Sequence, residues 1–374
     1  MDPEISHQAE VETPKRAPWS LSWTTVVPVV AVLVLIATWG TKPVGAVLVV
    51  VGFVLAAAVL AAVHHAEVVA HRVGEPFGSL VLAVSVTVIE VALIVTLMAS
   101  AGSENETLAR DTVFAALMIT CNGIVGISVL VGALHRRVAT FNAEGTATAL
   151  ATVSTLATLT LVLPRFTTST PGPVFSGPQL AFAAVASLAL YGLFVVVQTV
   201  RHRDYFLPRG VDTAEEEHAA PPSKRVTLTS LVLLVVALVG VVGLAKLESD
   251  PIEEAVTTIG APQSAVGVAI ALVVLAPETL AALRNARRDR VQTSLNLAYG
   301  SAMASIGLTI PAIAIASIWL EGPLRLGLGS TQMVLLAITV VVGALTVLPG
   351  RATLQEGAVH LALLGAFLFL AINP

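Results

Sequence analysis

Residues 77–99 read FGSLVLAVSVTVIEVALIVTLMA, an apolar run of 23 residues in which Glu90 is the only ionisable side chain. A run of about 20 apolar residues is long enough to cross the hydrocarbon core of a bilayer as a helix. A charge at that depth costs roughly 2.5 to 3.5 kcal/mol on insertion scales, so the carboxylate must face the protein interior or a water-filled path. Glu278 lies in a second such run, residues 265–283, AVGVAIALVVLAPETLAAL. The two glutamates are therefore the first candidates for a functional site.

The composition is typical of an integral membrane protein. Hydrophobic residues make up 56% of the 374 residues and charged residues 12%, values outside the usual range of a soluble domain. The apolar runs are apolar all round and do not alternate as the strands of a membrane barrel do. We predict an all-α polytopic membrane protein with about 11 transmembrane helices. The runs are residues 24–39, 43–63, 77–99, 112–134, 146–163, 180–200, 228–244, 265–283, 294–320, 333–348 and 358–372.

The basic residues predict the orientation of these helices. If the N-terminus is inside, the cytoplasmic segments hold fifteen of the twenty Lys and Arg residues and the outer loops hold five. Because positive loops stay in the cytoplasm, we predict a cytoplasmic N-terminus and an external C-terminus, in agreement with an odd number of spans. The net charge of -4 gives no reason to expect a nucleic-acid partner. The single cysteine, Cys121, excludes an intrachain disulfide.

The chain divides into one extra helix and two five-helix halves. Because five is odd, the second half enters the membrane from the opposite face, as in inverted-repeat transporters whose substrate site lies near the midplane. Glu90 and Glu278 both fall on the second helix of their half. The stretch 121–127, CNGIVGI, can be laid over 304–310, ASIGLTI, which places Asn122 opposite Ser305. The predicted segments are a cytoplasmic tail (1–20), an extra first transmembrane helix (21–42), a first five-helix repeat (43–200), an acidic cytoplasmic linker (201–226) and a second five-helix repeat (227–374).

Oxygen atoms dominate the polar groups around the two glutamates. Thr87 is three residues before Glu90 and shares its helical face. Pro277, next to Glu278, cannot donate to the carbonyl four residues back and so frees a backbone oxygen. Carboxylate, hydroxyl, amide and carbonyl oxygens suit a hard cation such as Na⁺ or Ca²⁺. We predict that the glutamates bind metal, and that the cation and proton site comprises Glu90, Glu278, Asn122, Ser305, Thr87 and Ser301. For Asn122 and Ser305 an ordinary interhelical hydrogen bond is the alternative.

Four other segments each allow two interpretations. Residues His64, His65, Glu67 and His71 do not match the His-Glu-x-x-His spacing of zinc hydrolases, yet they are the basis of an alternative function, an intramembrane metal-dependent enzyme. Glu356 and His360, four residues apart, are either a proton relay or polar residues at the interface. The amphipathic stretches 61–74 and 250–260 could lie in the interface plane. The acidic run from Asp212 to Glu217 is either a solvated linker or a segment that attracts cations.

Several stretches together resemble the calcium/cation antiporter superfamily. They are GEPFG (74–78) through VTVIEV (86–91), CNGIVG (121–126), APETL (276–280) and QTSLNLAYGSA (292–302). Within the superfamily the chain is most similar to bacterial calcium/proton antiporters that also exchange sodium or potassium for protons. The resemblance implies an extra first helix, two inverted five-helix repeats and one essential glutamate per repeat, here Glu90 and Glu278. Most members carry Gly-Asn shortly before each glutamate, whereas Val86-Thr87 and Val274-Leu275 stand here, so fewer amide ligands surround the ion.

These observations predict a secondary antiporter in the bacterial inner membrane. Ca²⁺, with Na⁺ or K⁺ as further candidates, would be exchanged for H⁺ by alternating access, the two glutamates binding either cation or protons. The expected partners are inorganic cations, protons and the lipid bilayer, and no cofactor is expected. A non-transporting membrane scaffold is the second alternative function, but it gives no reason for two buried glutamates at equivalent positions. The sequence lacks a Gly-x-x-x-x-Gly-Lys-Ser/Thr nucleotide-binding loop, which argues against an ATP-driven pump.

Overall fold

The chain folds into membrane-length α-helices joined by short connections. The computed structural model describes residues 22–41, 43–74, 77–101, 106–207, 221–258, 262, 264–319 and 322–374. The helices are α1 Trp23–Thr38, α2 Ala46–Val73, α3 Phe77–Ala101, α4 Leu108–Met118, α5 Val125–Arg136, α6 Ala143–Ala157, α7 Gly177–Val196, α8 Lys224–Thr258, α9 Ser264–Arg287, α10 Val291–Ala316, α11 Ser330–Val347 and α12 Leu354–Ile372.

Three π-helical turns interrupt or extend these helices. The turn Ile119–Ile124 joins α4 to α5 in one continuous rod, Thr158–Val162 extends α6, and Val197–Arg201 extends α7. With α4 and α5 counted as one rod, the described residues form eleven helical rods, one on each predicted apolar run. Nine of the described helices are long and apolar enough to cross a membrane, while α1 and the apolar part of α3 are shorter. The all-α polytopic fold is confirmed.

Two helices are longer than the sequence predicted. For the stretches 61–74 and 250–260 the sequence left a position in the interface plane open. In the structure α2 continues to Val73 over 28 residues and α8 continues to Thr258 over 35 residues, so the described parts of both stretches prolong membrane-length helices. In α2 the reason is packing, because Ala61, Ala62, Ala66 and Val69 are buried against the bundle. At 1.5 Å per residue α2 is about 42 Å long, so it extends beyond a hydrocarbon core of about 30 Å.

The helices pack into two adjoining hydrophobic clusters. The larger cluster contains buried residues of α3 to α7 and α9 to α12, and the smaller one joins α1, α2 and α8 to one side of α3 and α9. Glycine allows α1 to dock on α8, because a methyl group added at Gly243 would lie 2.2 Å from Leu35 Cδ2. The arrangement leaves α3, α7, α9 and α10 around a central space.

A two-stranded pairing ties the loop after α5 to the loop after α11. Strands β1 (Ala139–Thr140) and β2 (Arg351–Ala352) are antiparallel, with Ala139 opposite Ala352. The amide of Phe141 also donates to the carbonyl oxygen of Gly350 at 3.0 Å. These two loops therefore lie on the same face of the membrane, as the predicted order of spans requires.

Candidate cation-binding site

A cavity of about 350 Å³ lies among α3, α7, α9 and α10. Its lining runs from Glu90 and Glu278, in the middle of their helices, to Gln198 and Thr293. The cavity thus reaches from the centre of the bundle toward the membrane face at which α7 ends and α10 begins. Five of the six predicted site residues line it, namely Glu90, Glu278, Thr87, Ser301 and Ser305.

Glu90 is buried and hydrogen-bonded across the two halves of the chain. Its carboxylate is 4% exposed, and the hydroxyl of Ser305 donates to Oε1 at 2.7 Å. One turn further along α10, the buried hydroxyl of Thr309 also lies close to the Glu90 carboxylate, although it makes no hydrogen bond of regular geometry. A hydroxyl that donates to a carboxylate makes a charge-assisted hydrogen bond, which is stronger than a neutral one. The bond therefore links α3 of the first half to α10 of the second half directly at the predicted site.

Glu278 is equally buried, but one of its oxygens has no partner. The side chain is 8% exposed, and Oε2 is buried without a hydrogen bond. The charges of Glu278 and Glu90 lie close enough to interact. A buried carboxylate without compensation is costly, and two such carboxylates repel each other. A cation or protons between them would remove both penalties.

The side chain of Asn122 lies outside this cavity. Asn122 is fully buried in the π turn between α4 and α5, where its amide nitrogen donates to Thr339 Oγ1 at 2.9 Å. Its oxygen faces Nδ1 of His360 at 3.1 Å. In this structure Asn122 is an interhelical hydrogen bonder toward α11 and α12, the alternative that the sequence left open, whereas Ser305 contacts Glu90.

The histidine-rich stretch does not form a metal site in the described structure. His65 is buried and contacts the carbonyl oxygen of Thr24 in α1 at 2.9 Å, while His64 and His71 are exposed. Among the residues that the structure describes, no three His, Cys, Asp or Glu side chains are placed to hold a metal ion. The described residues therefore give no support to a metal-dependent enzyme built on this stretch.

Glu67 of the same stretch also interacts with charges outside it. Its charge interacts with those of His64 and Arg284 and with that of Glu278. Glu67 is exposed on α2, and its charge lies near that of the cavity glutamate on α9. The sequence pattern does not indicate this interaction, because Glu67 and Glu278 are more than 200 positions apart.

Glu356 and His360, the second pair considered, contact different groups in the structure. Glu356 caps the start of α12 and accepts a hydrogen bond from the amide of Thr353 at 2.8 Å. His360 is fully buried and contacts Asn122 and Thr346. Because the two side chains bind different groups, no proton relay joins them in this structure.

The opposite end of the bundle is closed by tight helix packing. A methyl group added at Gly267 of α9 would lie 2.9 Å from the backbone nitrogen of Thr112 in α4. Around this contact Ile94, Val113 and Val268 are buried in the main hydrophobic cluster. Among the described residues, the cavity of the two glutamates therefore extends toward one membrane face, and packed side chains of α3, α4 and α9 lie on the side of the other face.

Comparison with known proteins places this geometry in a family context. A protein-family model described as "Sodium/calcium exchanger protein" matches two stretches of the chain, residues 43–200 and 229–373. The chain is 47% identical over 324 residues to the "Putative ionic transporter y4hA" of Sinorhizobium fredii, covering 86% of this chain and 87% of that protein. It is 33% identical over 349 residues to the "Sodium-potassium/proton antiporter ChaA" of Escherichia coli, covering 92% and 94%.

Solved structures share the fold at low sequence identity. The structure of native YfkE superposes with a TM-score of 0.69 at 16% identity, covering 94% of this chain and 99% of that one. The H⁺/Ca²⁺ exchanger CAX superposes with a TM-score of 0.68 at 15% identity, covering 92% and 86%. At these identities the similarity concerns the fold.

Proposed function

The chain belongs to the sodium/calcium exchanger protein family, and on that premise we propose that it is a secondary antiporter that exchanges a cation for protons. Membership of this family makes it a membrane ion exchanger and not an enzyme. The observation that carries the proposal is the pair of buried carboxylates, Glu90 and Glu278, which come from different halves and share one cavity open to one face.

Competition for the same oxygens couples the two fluxes. A cation or protons can neutralise Glu90 and Glu278, but both cannot occupy the same carboxylate oxygens. An empty site would carry unpaired charge through the low-dielectric centre of the membrane, which is costly. Each half-cycle therefore moves either cation or protons. One Ca²⁺ or two protons would leave the two carboxylates neutral.

The oxygens in the cavity suit hard cations. Besides the two carboxylates, the hydroxyls of Thr87, Ser301 and Ser305 line the cavity, and thiolate or imidazole ligands are absent from this lining. We propose Ca²⁺ as a substrate, with Na⁺ and K⁺ competing for the site. The name of the Escherichia coli relative, a sodium-potassium/proton antiporter, supports the monovalent substrates.

The division into an extra helix and two inverted halves belongs to the same proposal. The family model matches the chain twice, over 43–200 and 229–373, close to the predicted repeats 43–200 and 227–374. With the N-terminus in the cytoplasm, the ends of α7 and the start of α10 lie on the cytoplasmic side. The structure then corresponds to a conformation open to the cytoplasm of a bacterial inner membrane.

Flux measurements in proteoliposomes test the function. We expect purified protein to move protons when Ca²⁺, Na⁺ or K⁺ is added alone to vesicles containing a pH-sensitive dye. Glu90→Gln and Glu278→Gln should each abolish exchange, because the amide cannot alternate between charged and protonated forms. Glu356→Gln is the matched control, since Glu356 caps α12 away from the cavity and should retain exchange. Wild-type rates in both cavity variants would exclude the mechanism.

A further inference from the structure

The third helix of each half carries a polar side chain, Asn122 in the first half and Ser305 in the second, and the two side chains contact different groups in this structure. Ser305 of α10 reaches into the cavity and donates to Glu90. Asn122, which the repeat lays over Ser305, turns instead toward α11 and α12. If each half supplied the same hydrogen bond to the glutamate of the other half, Asn122 would donate to Glu278 as Ser305 donates to Glu90. Oε2 of Glu278 is the buried carboxylate oxygen that has no hydrogen-bond partner.

Two side chains of the second half, Thr339 and His360, are hydrogen-bonded to the amide group of Asn122. Its nitrogen donates to Thr339 Oγ1 at 2.9 Å, so its oxygen is the atom that accepts from Nδ1 of His360 at 3.1 Å. Nε2 of His360 contacts Thr346 Oγ1 at 3.2 Å. Both polar ends of Asn122 are thus satisfied, although a free carboxylate oxygen exists on a helix that packs against the same π turn.

Close approach of two helices fixes His360 in this position. A methyl group added at Gly126 would lie 3.0 Å from Cβ of His360, and one added at Gly357 would lie 2.7 Å from the backbone nitrogen of Leu130. The backbones of α5 and α12 are therefore in close contact at one glycine of each helix. His360 is fully buried there, and its imidazole has little room to turn away from Asn122.

We propose that Thr339 and His360 form a latch that holds Asn122 away from Glu278 while the cavity is open to the face of Gln198 and Thr293. When the site opens to the other face, Asn122 leaves the latch and donates to Glu278. This inference rests on the proposed function, because it takes Glu278 as part of the transport site. Thr339 and His360 are positioning residues and do not touch the ion.

The π turn supplies a route for this movement. A π turn holds one residue more than an α turn, and such turns are frequent at functional sites. Conversion of Ile119–Ile124 to a regular α-helix would rotate side chains on one side of it by about 100° around the helix axis. A rotation of that size moves a side chain from one neighbouring helix to the next.

Labelling of a cavity cysteine tests the latch without requiring transport. The cysteine is Thr293→Cys at the cavity lining, introduced in a Cys121→Ala background. A membrane-impermeant maleimide is added to vesicles whose outer surface is the membrane face of Gln198 and Thr293. We expect His360→Leu and Thr339→Val each to shift the equilibrium about five-fold toward the conformation open to the other face, the size of one lost hydrogen bond, and so to slow labelling. His360→Asn keeps an amide donor near the position of Nδ1, the atom that faces Asn122, and should restore the wild-type rate. The matched controls are His65→Leu and Thr160→Val, which remove buried polar groups elsewhere.

A double-variant measurement decides whether the latch acts through Asn122. In an Asn122→Ala background, His360→Leu should change the labelling rate no further. Equal slowing in that background would show that His360 acts through packing alone and would overturn the proposal. Wild-type labelling in folded Thr339→Val and His360→Leu proteins would also overturn it. Exchange by Glu278→Gln would remove the proposed function, while the labelling result would still report on the latch.

Discussion

At the scale of single residues, the hydrogen bond between Ser305 and Glu90 makes a quantitative prediction. Ser305→Ala removes the donor that stabilises the charged carboxylate at 2.7 Å. A hydrogen bond to a charged group contributes about 1.5 to 3 kcal/mol, and about 1.4 kcal/mol corresponds to a ten-fold change in affinity. We expect the KM for the cation to rise about ten-fold with a smaller change in maximal rate, measured as cation-dependent proton flux.

Ser187→Ala is the control for that variant. Ser187 is also a fully buried serine in a membrane helix, but its hydroxyl donates only to carbonyl oxygens of its own helix, at Ala183 and Ala184. Its KM should remain that of the wild type. An unchanged KM in Ser305→Ala would show that the bond to Glu90 does not contribute to cation binding.

The sequence could predict which residues share the cavity better than where each side chain points. Glu90 and Glu278 stand out because a charge in an apolar run needs an explanation, and the hydroxyls near them follow from helical spacing. The direction of Asn122 could not be predicted, because it depends on Thr339 and His360, more than 200 residues later in the chain. The position of Glu67 near Glu278 has the same kind of cause.

At the scale of helices, the close contact between α9 and α4 makes a prediction about gating. A methyl group at Gly267 meets the backbone of Asp111 and Thr112 at 2.9 to 3.0 Å, and backbone atoms cannot yield as a flexible side chain can. Gly267→Ala should therefore separate the helices on the closed face, at a cost of about 1 to 3 kcal/mol. We expect a population shift of about ten-fold toward the opposite conformation, measured as slower maleimide labelling of Thr293→Cys.

Gly192→Ala is the control, because a methyl group at Gly192 of α7 meets no atom within 4 Å. Labelling in that variant should match the wild type. Wild-type labelling in Gly267→Ala as well would mean that the α4 and α9 contact does not hold the far face closed.

The helices themselves were predictable because each is a long apolar run. Their exact extent was not, and α2 and α8 show why. A helix continues through polar residues wherever its backbone bonds stay intact and one face still packs, as Ala61, Ala62 and Ala66 do in α2. The π turns were also hidden from the sequence, because they adjust helix phase to neighbouring helices that only the assembled fold provides.

At the scale of the whole molecule, the order of spans predicts which loops face which side. The pairing of Ala139 with Ala352 requires the loops after α5 and α11 to share a face, and eleven spans place them there because these loops follow the fourth and the tenth span. It does not say which face is cytoplasmic. That assignment rests on the basic residues, fifteen of twenty of which fall on one side, because positive loops stay inside.

Cysteine labelling in intact cells checks this orientation. In a Cys121→Ala background, Thr168→Cys lies between α6 and α7 and Asp204→Cys lies after α7, and both original side chains are exposed. We expect an impermeant maleimide to label Thr168→Cys in intact cells, and to label Asp204→Cys only in everted vesicles. Since Asp204 follows Gln198 by six residues, its labelling also identifies the face to which the cavity opens. The reverse pattern would place the N-terminus outside and the open cavity on the external face, so that this conformation would bind its cation from outside the cell.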